Sequence, residues 1–425
     1  MSTGCCFSPA LRVVQTASVV RGTAALVVYF LEMVVAAFEP STVARHFPAP
    51  SGSRRSAVSA AAWVLAAAAL GLPAACRPAG SRIAPSSSTP QRVELVVWKG
   101  TPEEIGEQHG RRLGVTIRFL ADRYLGILLG GQAGRARALH AAAGFRDHLR
   151  PHHRAELDAL AAAAHVPPEE ALLANCFLDL LPSIGCSTIS LPGTAAPDGV
   201  ARFGRNLDFP SYDLADRQSL VAVFRPAGRH AFAAVTWPGL IGVLSGINEH
   251  GLAIANMEVK RGPRSPDAMP YAILYRTVLE ECRTVEEAVA LLAREPRQTA
   301  NNLMMMDAAG HRAVIEITPA SIGVRRGLER EPLFATNHQR GEQDVPNRCR
   351  RYDCIAMATA RAWGHLDRDA LWQILDQVAQ GDLTLQSMIF EPGELVLHVA
   401  TGKKATKRVP ARIDLHGHLR PAPAD

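Results

Sequence analysis

The chain has 425 residues, of which 48% are hydrophobic and 20% are charged, so it can bury one large core or two smaller ones. Its formal net charge is +6, but residues 1–90 hold seven Arg and two Glu (+5), which leaves +1 for the remainder. A nearly neutral body without a basic, aromatic-rich patch gives no support for nucleic-acid binding. We find no zinc motif, phosphate-cradling glycine loop or dinucleotide fingerprint, so the sequence predicts no cofactor and no metal.

Residues 1–76 have the pattern of an export segment. Arg54 and Arg55 precede an apolar run that is too short for an ordinary membrane span. The run ends in LPAAC, which resembles the lipobox of bacterial lipoproteins and makes Cys76 a lipidation site; cleavage after Ala75, with Cys76 incidental, is the alternative. A start site placed too far upstream would explain the residues before this region. The sequence predicts an exported protein that is periplasmic, extracellular or lipid-anchored at the cell envelope.

Residues 77–92 are rich in Pro, Ser and Gly and predict a flexible linker. A strand at 93–98 then leads into a helical segment over about 102–182. Within it Pro167 and Pro168 mark a new helix start. Export would expose the chain to an oxidising compartment. Five cysteines follow Cys76, and four of them are available for disulfides if one is a nucleophile.

The rest of the chain alternates strand-rich and helical blocks. Residues 186–259 consist of short β-rich runs separated by Gly and Pro turns. Further on, the patterns predict helices near 270–281, 284–294, 347–362 and 368–379, strands near 302–307, 311–317 and 333–336, and a closing hairpin of 388–390 with 395–399. Two groups of strands, separated and followed by helix pairs, predict an α+β sandwich.

The first β-rich runs carry a candidate nucleophile. Residues 186–191 and 200–207 predict a hairpin that lays Arg205 and Asp208 beside Cys186. A free thiol titrates near 8.5 and needs a neighbouring cation or base to become a thiolate. Cleavage between Gly185 and Cys186 would create an α-amine with a pKa near 7.7–8.0, which suits that base. The alternative is a buried, unreactive cysteine beside a surface Arg–Asp pair.

Six segments occur in an order that is typical of one family: GTPEEIGEQHG at 100–110, GCST at 185–188 with RNLDF at 205–209, GINEHGL at 246–252, NLMMMDAAG at 302–310, TNH at 336–338 and SMIFEP at 387–392. Together they resemble the penicillin acyltransferase branch (acyl-CoA:isopenicillin N acyltransferase-like) of the cysteine N-terminal-nucleophile (Ntn) hydrolases, related to choloylglycine hydrolases and acid ceramidase-like amidases. The resemblance spans residues 93–402. It implies a four-layer αββα Ntn-hydrolase sandwich.

In enzymes of this family a precursor cuts itself directly before the nucleophile. The resemblance therefore implies cleavage between Gly185 and Cys186, which separates an N-terminal helical segment, 93–185, from a catalytic chain, 186–425. Cys186 becomes the nucleophile and its own α-amine the base. Asp208 is implied to hold that amine, and Arg205 to favour the thiolate. A salt bridge that merely braces the hairpin is the alternative for these two residues.

Other positions match the family less directly. Asn337 matches an oxyanion donor, although a turn-capping role is the alternative. Asn256 matches a second donor, and Arg351 matches a further active-site arginine. His338 follows Asn337. It either faces the substrate or is a surface or hydrogen-bonded histidine. The adjacent His152 and His153 resemble a metal pair, but neighbouring side chains on a helix are expected not to converge.

These expectations predict an exported, autoproteolytic amidohydrolase. It would cleave a small-molecule linear N-acyl amide through an acyl-cysteine intermediate, without a cofactor. An acyltransferase that passes the acyl group to an amine is the alternative, and a non-catalytic, lipid-anchored binding protein is a second one.

Overall fold

The computed structural model describes residues 89–181, 185–259, 264–265, 267–341 and 349–420. The predicted export segment with Cys76, and the linker up to residue 88, lie outside the described residues. The last residues of the predicted linker contact the fold. Gln91 donates its backbone N–H to Val409 O (2.9 Å), and its side-chain oxygen accepts the N–H of Thr401 (2.9 Å). In the described part of the chain, no helix combines the length and apolar character needed to cross a membrane.

The described residues form two sheets and several helices. The strands are β1 (Leu95–Gly100), β2 (Cys186–Leu191), β3 (Arg202–Asp208), β4 (Leu220–Pro226), β5 (Phe232–Thr236), β6 (Ser245–Asn248), β7 (Ala253–Glu258), β8 (Asn301–Met306), β9 (Arg312–Ile317), β10 (Ile322–Arg326), β11 (Leu333–Ala335), β12 (Thr384–Glu391), β13 (Val396–Thr401) and β14 (Ala411–Asp414). The α-helices are α1 (Pro102–Phe119), α2 (Leu125–Leu128), α3 (Gln132–Ala143), α4 (Pro151–Ala164), α5 (Pro168–Leu180), α6 (Tyr271–Glu281), α7 (Val285–Arg294), α8 (Arg350–Arg361), α9 (Arg368–Gln377) and α10 (His416–Leu419).

One sheet has eight strands in the order β1-β4-β5-β6-β7-β8-β9-β10, and the other has six in the order β11-β2-β3-β12-β13-β14. β1 runs parallel to β4, whereas the other neighbours in both sheets are antiparallel. The strand that begins at Cys186 therefore lies inside the six-stranded sheet, between β11 and β3.

The two sheets face each other and carry helices on their outer sides. β2 contacts β7 and β8 across the interface between the sheets. α6 and α7 pack on the eight-stranded sheet, and α8 and α9 pack on the six-stranded one. Ile189, Leu371 and Ile389 belong to a separate apolar cluster beneath α8 and α9. The predicted α+β fold with four αββα layers is confirmed.

Helix α1 accounts for the glycine-rich motif at 100–110. Thr101 and Glu104 form a capping box, in which the Thr101 hydroxyl accepts the Glu104 N–H (3.3 Å) and the Glu104 carboxylate accepts the Thr101 N–H (2.8 Å). Gly106 and Gly110 lie against α4. A Cβ atom at Gly106 would stand 2.1 Å from Glu156 O, and one at Gly110 would also meet the backbone of α4. The glycines thus permit close approach of the two helices.

The cysteines within the described residues are free thiols. Cys176, Cys186, Cys282, Cys349 and Cys354 are all buried and none is joined in a disulfide. In this structure they contribute to packing rather than to cross-links.

Candidate active site

The hairpin predicted around Cys186 is present as β2 and β3, joined through a 3₁₀ turn at Gly193–Ala195. Cys186 pairs with Leu207, and Thr188 pairs with Arg205. Because directly opposed residues share one face of a sheet, Cys186, Arg205 and Leu207 point to the same side. That side meets β7 of the other sheet, where Arg205 Nη1 donates to Asn256 O (2.6 Å).

A cavity of about 870 Å³, including its opening to solvent, ends at this face. Its polar end is formed by Cys186, Arg205, Asp208, Asn256 and Glu258. Its walls are mostly apolar and come from α1 and the π-helical turn after it, from α5 and from the loop before β6; they include Leu120, Ala121, Phe177, Trp237 and Leu244. The nucleophile candidate therefore lies where a mostly apolar cavity meets a small polar cluster.

The groups around Cys186 shift the pKa of its thiol in opposite directions. Burial raises the pKa of the Cys186 thiol above its ordinary value. The Arg205 guanidinium opposes that rise more strongly than Arg351 does, while the Asp208 carboxylate adds to the rise. Arg205 thus acts on the thiol in the predicted direction without outweighing burial. A thiol whose pKa lies above its ordinary value is mostly protonated at neutral pH.

Arg205 also has unused donors. Its side chain is fully buried, and its Nε and Nη2 atoms have no hydrogen-bond partner among the described residues. Buried polar groups are normally paired, so unpaired N–H groups at a cavity wall favour a polar ligand atom beside them.

Asp208 is held rigidly at the end of β3. Its carboxylate accepts hydrogen bonds from Thr384 Oγ1 (2.6 Å) and Gln380 Nε2 (2.7 Å), and it lies 3.9 Å from Arg351 Nη1. Burial raises the pKa of Asp208, whereas these hydrogen bonds and the nearby Arg351 and Arg205 guanidinium groups act in the opposite direction. Sequence patterns do not indicate Thr384 or Gln380, because only the pairing of β3 with β12 brings them to Asp208.

Asn337 and Arg351 meet at the backbone of Cys186. Asn337 Oδ1 accepts the Cys186 N–H (2.7 Å) and an Arg351 Nη2 hydrogen bond (2.9 Å). Arg351 Nη1 also donates to Cys186 O and to Ser187 Oγ (3.0 Å). Two donors converge on one Asn337 atom, which fixes that atom as the amide oxygen. Asn337 Nδ2 donates to Glu258 O (2.8 Å), so the oxyanion role of this amide stays a prediction.

The remaining predicted positions are less central. Asn256 lines the cavity, but its backbone N–H is bonded to Leu244 O (3.0 Å). His338 uses its backbone oxygen to accept from Asn302 Nδ2 (2.9 Å) and is not among the described residues that line the cavity. Glu258 does line it and was not predicted. Its signal was present, since a side chain two residues beyond Asn256 on one strand shares its face.

Gly185 lies against the same cluster. A Cβ atom there would stand 1.9 Å from Gln380 Nε2 and 3.1 Å from Arg351 Nη2. A side chain at this position would displace groups that hold Asp208 and the Cys186 backbone. This contact gives a physical reason for glycine before the candidate nucleophile.

Two buried polar side chains fix the cavity wall at residues 237–241. His109 Nε2 accepts the Gly239 N–H (3.0 Å), and the His109 ring stacks on Trp98. From α5, Asn175 Nδ2 donates to Gly239 O (2.9 Å), while its Oδ1 accepts the Ile241 N–H (2.8 Å). The wall is thus anchored to two helices of the N-terminal segment.

This anchoring predicts a pH-dependent stability. Burial lowers the pKa of His109 from 6.5 to about 3, so the folded state keeps the imidazole neutral while the unfolded state gains a proton below pH 6.5. The free energy of unfolding is therefore unaffected by the titration of His109 above pH 6.5. It decreases as the pH falls towards 3, by an amount on the order of a few kcal/mol. The free energy of unfolding, measured with denaturant at several pH values, should depend less steeply on pH in His109→Gln than in the wild type. Burial also lowers the pKa of His153 to about 4, so His153 makes the free energy of unfolding change with pH in the same direction. This part of the pH dependence is present in both proteins. Equal slopes would contradict the assignment to His109.

The expectation that His152 and His153 do not converge is wrong. Both Nε2 atoms approach Glu280 Oε2, at 3.3 and 3.0 Å. α4 brings the two rings to the side of α6, where a single carboxylate oxygen lies between them. The other oxygen of Glu280 accepts a hydrogen bond from Arg276 Nε (2.8 Å). The same guanidinium group pairs with Glu156 through Nη2. The pair therefore belongs to a buried network of charges.

Comparison with known proteins agrees with the resemblance seen in the motifs. Residues 194–352 match the family described as acyl-coenzyme A:6-aminopenicillanic acid acyl-transferase, a stretch that contains Arg205, Asp208, Asn337 and Arg351 and begins after Cys186. N-acylethanolamine-hydrolyzing acid amidase from Oryctolagus cuniculus is 25% identical over 189 residues, which are 41% of this chain and 52% of that protein. The chain thus spans about half the length of the curated relative it matches. The predicted resemblance to this group is confirmed.

Solved structures with detectable similarity include a Caenorhabditis elegans N-acylethanolamine-hydrolyzing acid amidase ortholog, at 16% identity and a TM-score of 0.40, with 49% of this chain and 93% of that chain covered. Penicillin V acylase from Agrobacterium tumefaciens gives 14% identity and a TM-score of 0.40, with 54% and 86% covered. A conjugated bile acid hydrolase variant from Clostridium perfringens gives 16% identity and a TM-score of 0.39, with 54% and 93% covered.

Proposed function

We propose that this protein is a self-processing cysteine amidohydrolase that cleaves linear N-acyl amides with an apolar acyl group. The observation that carries the proposal is the position of Cys186, between an apolar cavity and the polar cluster of Arg205 and Asp208. The apolar wall suits an acyl chain. The buried, unpaired donors of Arg205 suit a polar atom of the substrate at the same end.

Self-processing would begin with the thiol of Cys186. Its sulfur attacks the carbonyl carbon of Gly185, and the C–N bond between the two residues breaks as the nitrogen takes up a proton. The resulting thioester is hydrolysed by water, which frees the Gly185 carboxylate and regenerates the thiol beside a new α-amine. Asn337 Oδ1 already accepts the N–H of Cys186 (2.7 Å), so this nitrogen is held in place before the bond is cut.

Turnover would then use the freed amine as the base. The amine takes the thiol proton, the thiolate attacks the amide carbonyl of the substrate, and the protonated amine gives its proton to the leaving nitrogen. Water then attacks the acyl-cysteine carbonyl while the amine takes a proton from it. The acyl group leaves as the acid, and the proton returns from the amine to the Cys186 sulfur. Asp208 lies beside Cys186 and is fixed by Thr384 and Gln380, which suits it to hold the ammonium form of the base.

An acyltransferase is the second candidate, because the matched family is described as an acyl-transferase. The two activities share the acyl-cysteine intermediate and differ in whether water or an amine resolves it. Export, which the N-terminal residues predict, would separate the enzyme from intracellular acyl-CoA donors and is part of the proposal for hydrolysis. Intact mass and N-terminal sequencing of protein from the producing cell would report export and any lipid on Cys76.

Acyl-chain length tests the apolar cavity. We expect kcat/KM for N-acyl amides to rise by up to about fourfold per methylene until the cavity is filled, because each buried CH₂ contributes about 0.8 kcal/mol. Ala121→Trp should fill part of the cavity and reduce the preference for long over short chains. Val115→Trp changes an exposed residue of α1, whose exposure is 76%, and should leave that preference unchanged. A length-independent kcat/KM would contradict the assignment of the cavity to the acyl group.

The same assay separates the candidate functions. The panel would contain N-acyl ethanolamides, N-acyl amino acids, penicillins and bile-salt conjugates, each with and without a free amine acceptor. Hydrolysis that is abolished by thiol alkylation supports the proposal. New amide formed in preference to free acid establishes the transferase. Processed protein that forms no acyl-enzyme with any substrate supports a binding protein instead.

A further inference from the structure

Three metal-ligating side chains meet at one corner of the eight-stranded sheet. β5 and β6 pair with Phe232 opposite Asn248, and extending that register by two residues brings His230 opposite His250. Glu249 lies between them in the turn that leads to β7. Its backbone N–H donates to Ala231 O (2.8 Å), so the pairing continues past the ends of both strands.

The three ligand atoms are spaced like one face of a coordination tetrahedron around a metal ion. His230 Nδ1 lies 3.1 Å from His250 Nε2 and 3.3 Å from Glu249 Oε1, and the third separation, between His250 Nε2 and Glu249 Oε1, is 3.8 Å. Tetrahedral Zn²⁺ with bonds of about 2.0–2.2 Å separates its ligand atoms by about 3.3–3.6 Å. The observed triangle brackets that value without a rearrangement of the backbone.

Within this triangle, His230 Nδ1 makes both contacts favourable only if it donates one N–H that the other two atoms share. His230 Nδ1 has either one proton or one lone pair in its ring plane, yet two polar atoms approach it within 3.3 Å. If it accepts from His250, it turns a lone pair towards the carboxylate of Glu249. A cation at the centre of the triangle would accept electron pairs from all three atoms at once.

The backbone positions of the three residues are fixed. The His230 N–H donates to Glu280 O (3.1 Å), and the His250 N–H donates to the side-chain oxygen of Asn248 (3.1 Å). Asn248 is fully buried, and its side-chain amide also donates to Leu279 O and Cys282 O. A metal would therefore find its ligands preorganised, which lowers the entropic cost of binding.

The three side chains are also reachable from solvent. Those of His230, Glu249 and His250 are 19%, 27% and 30% exposed, so a hydrated cation can enter and keep water as a fourth ligand.

The other histidine pair is a poorer candidate. His152 and His153 share Glu280 with Arg276, and Arg229 Nη2 lies 3.1 Å from His152 Nδ1. The Arg276 guanidinium therefore already compensates that carboxylate, and the Arg229 guanidinium lies beside His152; both would repel a divalent cation. At the corner formed by His230, Glu249 and His250, the Arg420 guanidinium donates to the backbone oxygen of Glu249 (2.7 Å) rather than to one of the three ligand atoms.

We propose that His230, Glu249 and His250 bind one Zn²⁺ ion with a water molecule as the fourth ligand. Two imidazole nitrogens and one carboxylate are a donor set that suits zinc. The ion would tie the turn before β5 to the turn between β6 and β7 and would stabilise this corner of the sheet. The proposal is independent of the function proposed for Cys186.

Calorimetric titration of the full-length chain tests it. The protein would carry Cys186→Ala, so that the candidate nucleophile does not bind metal, and would be titrated with ZnCl₂ and with MgCl₂. We expect one Zn²⁺ per chain, a higher unfolding temperature with Zn²⁺, and no heat from Mg²⁺, which prefers oxygen ligands. His250→Gln and Glu249→Gln should each weaken zinc binding more than about 100-fold, since even outer-shell partners of a metal contribute about 10–100-fold.

Controls distinguish this site from other zinc ligands. His311→Gln removes an exposed histidine that pairs with Asp307 (3.2 Å) but has no second histidine in that pair, and it should bind zinc like the parent. The cobalt(II) spectrum should be tetrahedral without thiolate charge-transfer absorption. Circular dichroism in EDTA verifies that each variant folds. Full affinity in His250→Gln, loss of binding in His152→Gln, or a thiolate band with cobalt would each overturn the assignment.

Discussion

Purified wild-type protein is expected to separate into two chains under denaturing conditions, the larger beginning at Cys186, whereas Cys186→Ala is expected to stay as one uncut, inactive chain. Burial raises the pKa of the Cys186 thiol, so the uncut protein has little thiolate at neutral pH. Only cleavage at Gly185 supplies the α-amine that we propose as the base. Intact mass and N-terminal sequencing measure the cut, and hydrolysis of an N-acyl amide measures turnover.

Cys282→Ala serves as the matched control. Cys282 is another buried thiol, whose pKa is raised by burial to about 12, and it does not line the cavity. This variant should be processed and active like the wild type. Wild-type protein that turns over substrate while still joined at Gly185 would remove the proposed mechanism, even if Cys186 itself proved essential.

Replacement of Asp208 by Asn is expected to lower processing or turnover by at least about 10²-fold, a loss comparable to that of an electrostatic donor in other active sites. Asn keeps the size of the side chain but loses the charge that would hold the ammonium form of the Cys186 amine. It also replaces one of two acceptor oxygens that bind Thr384 and Gln380. The extent of cleavage measures the loss of processing, and single-turnover assays on cleaved protein measure the loss of turnover.

Asp198→Asn is the control for this change. Asp198 lies in the turn of the same hairpin and forms a salt bridge to Arg202 (2.5 Å), but its side chain is 44% exposed and does not line the cavity. It should retain normal processing and turnover. Near-normal turnover in Asp208→Asn would instead assign Asp208 a structural role in holding the end of β3.

The elements that sequence patterns predicted well are those with strong local signals. Pro168 followed by Glu169 and Glu170 marks the start of α5, because proline fits the first helical turn and acidic side chains suit its amide groups. The β2–β3 hairpin was likewise readable from its turn residues. Its register, with Cys186 opposite Leu207, then placed Arg205 and Asp208 close to the thiol.

Two strands at the edges of the sheets were not predicted. β10 is partly or fully exposed throughout, and β14 alternates partly buried with exposed residues and ends in Asp414. Edge strands of this kind carry charged side chains and lack a continuous apolar face. Their pairing depends on the neighbouring strand, so their own residues indicate them weakly.

The contacts that complete the candidate site were also beyond local patterns. Gln380 and Thr384 reach Asp208 across more than 170 residues of chain. The sequence predicted the β12–β13 hairpin but began its first strand at 388, whereas β12 begins at Thr384. The position of Arg351 followed from the family resemblance. Its contacts with Cys186 and Asn337 required the packing of α8 on β2.

The parallel pairing of β1 with β4 gives the proposed cleavage a consequence for refolding. β1 lies before the scissile bond, yet its residues 95–100 pair with 221–226 in the eight-stranded sheet. Cleavage after Gly185 would leave this pairing and the packing of α1 intact, so the two fragments would remain together as a non-covalent pair. After denaturation, however, they would have to find each other in solution. Renaturation would change from a first-order to a second-order process, and its yield would depend on protein concentration.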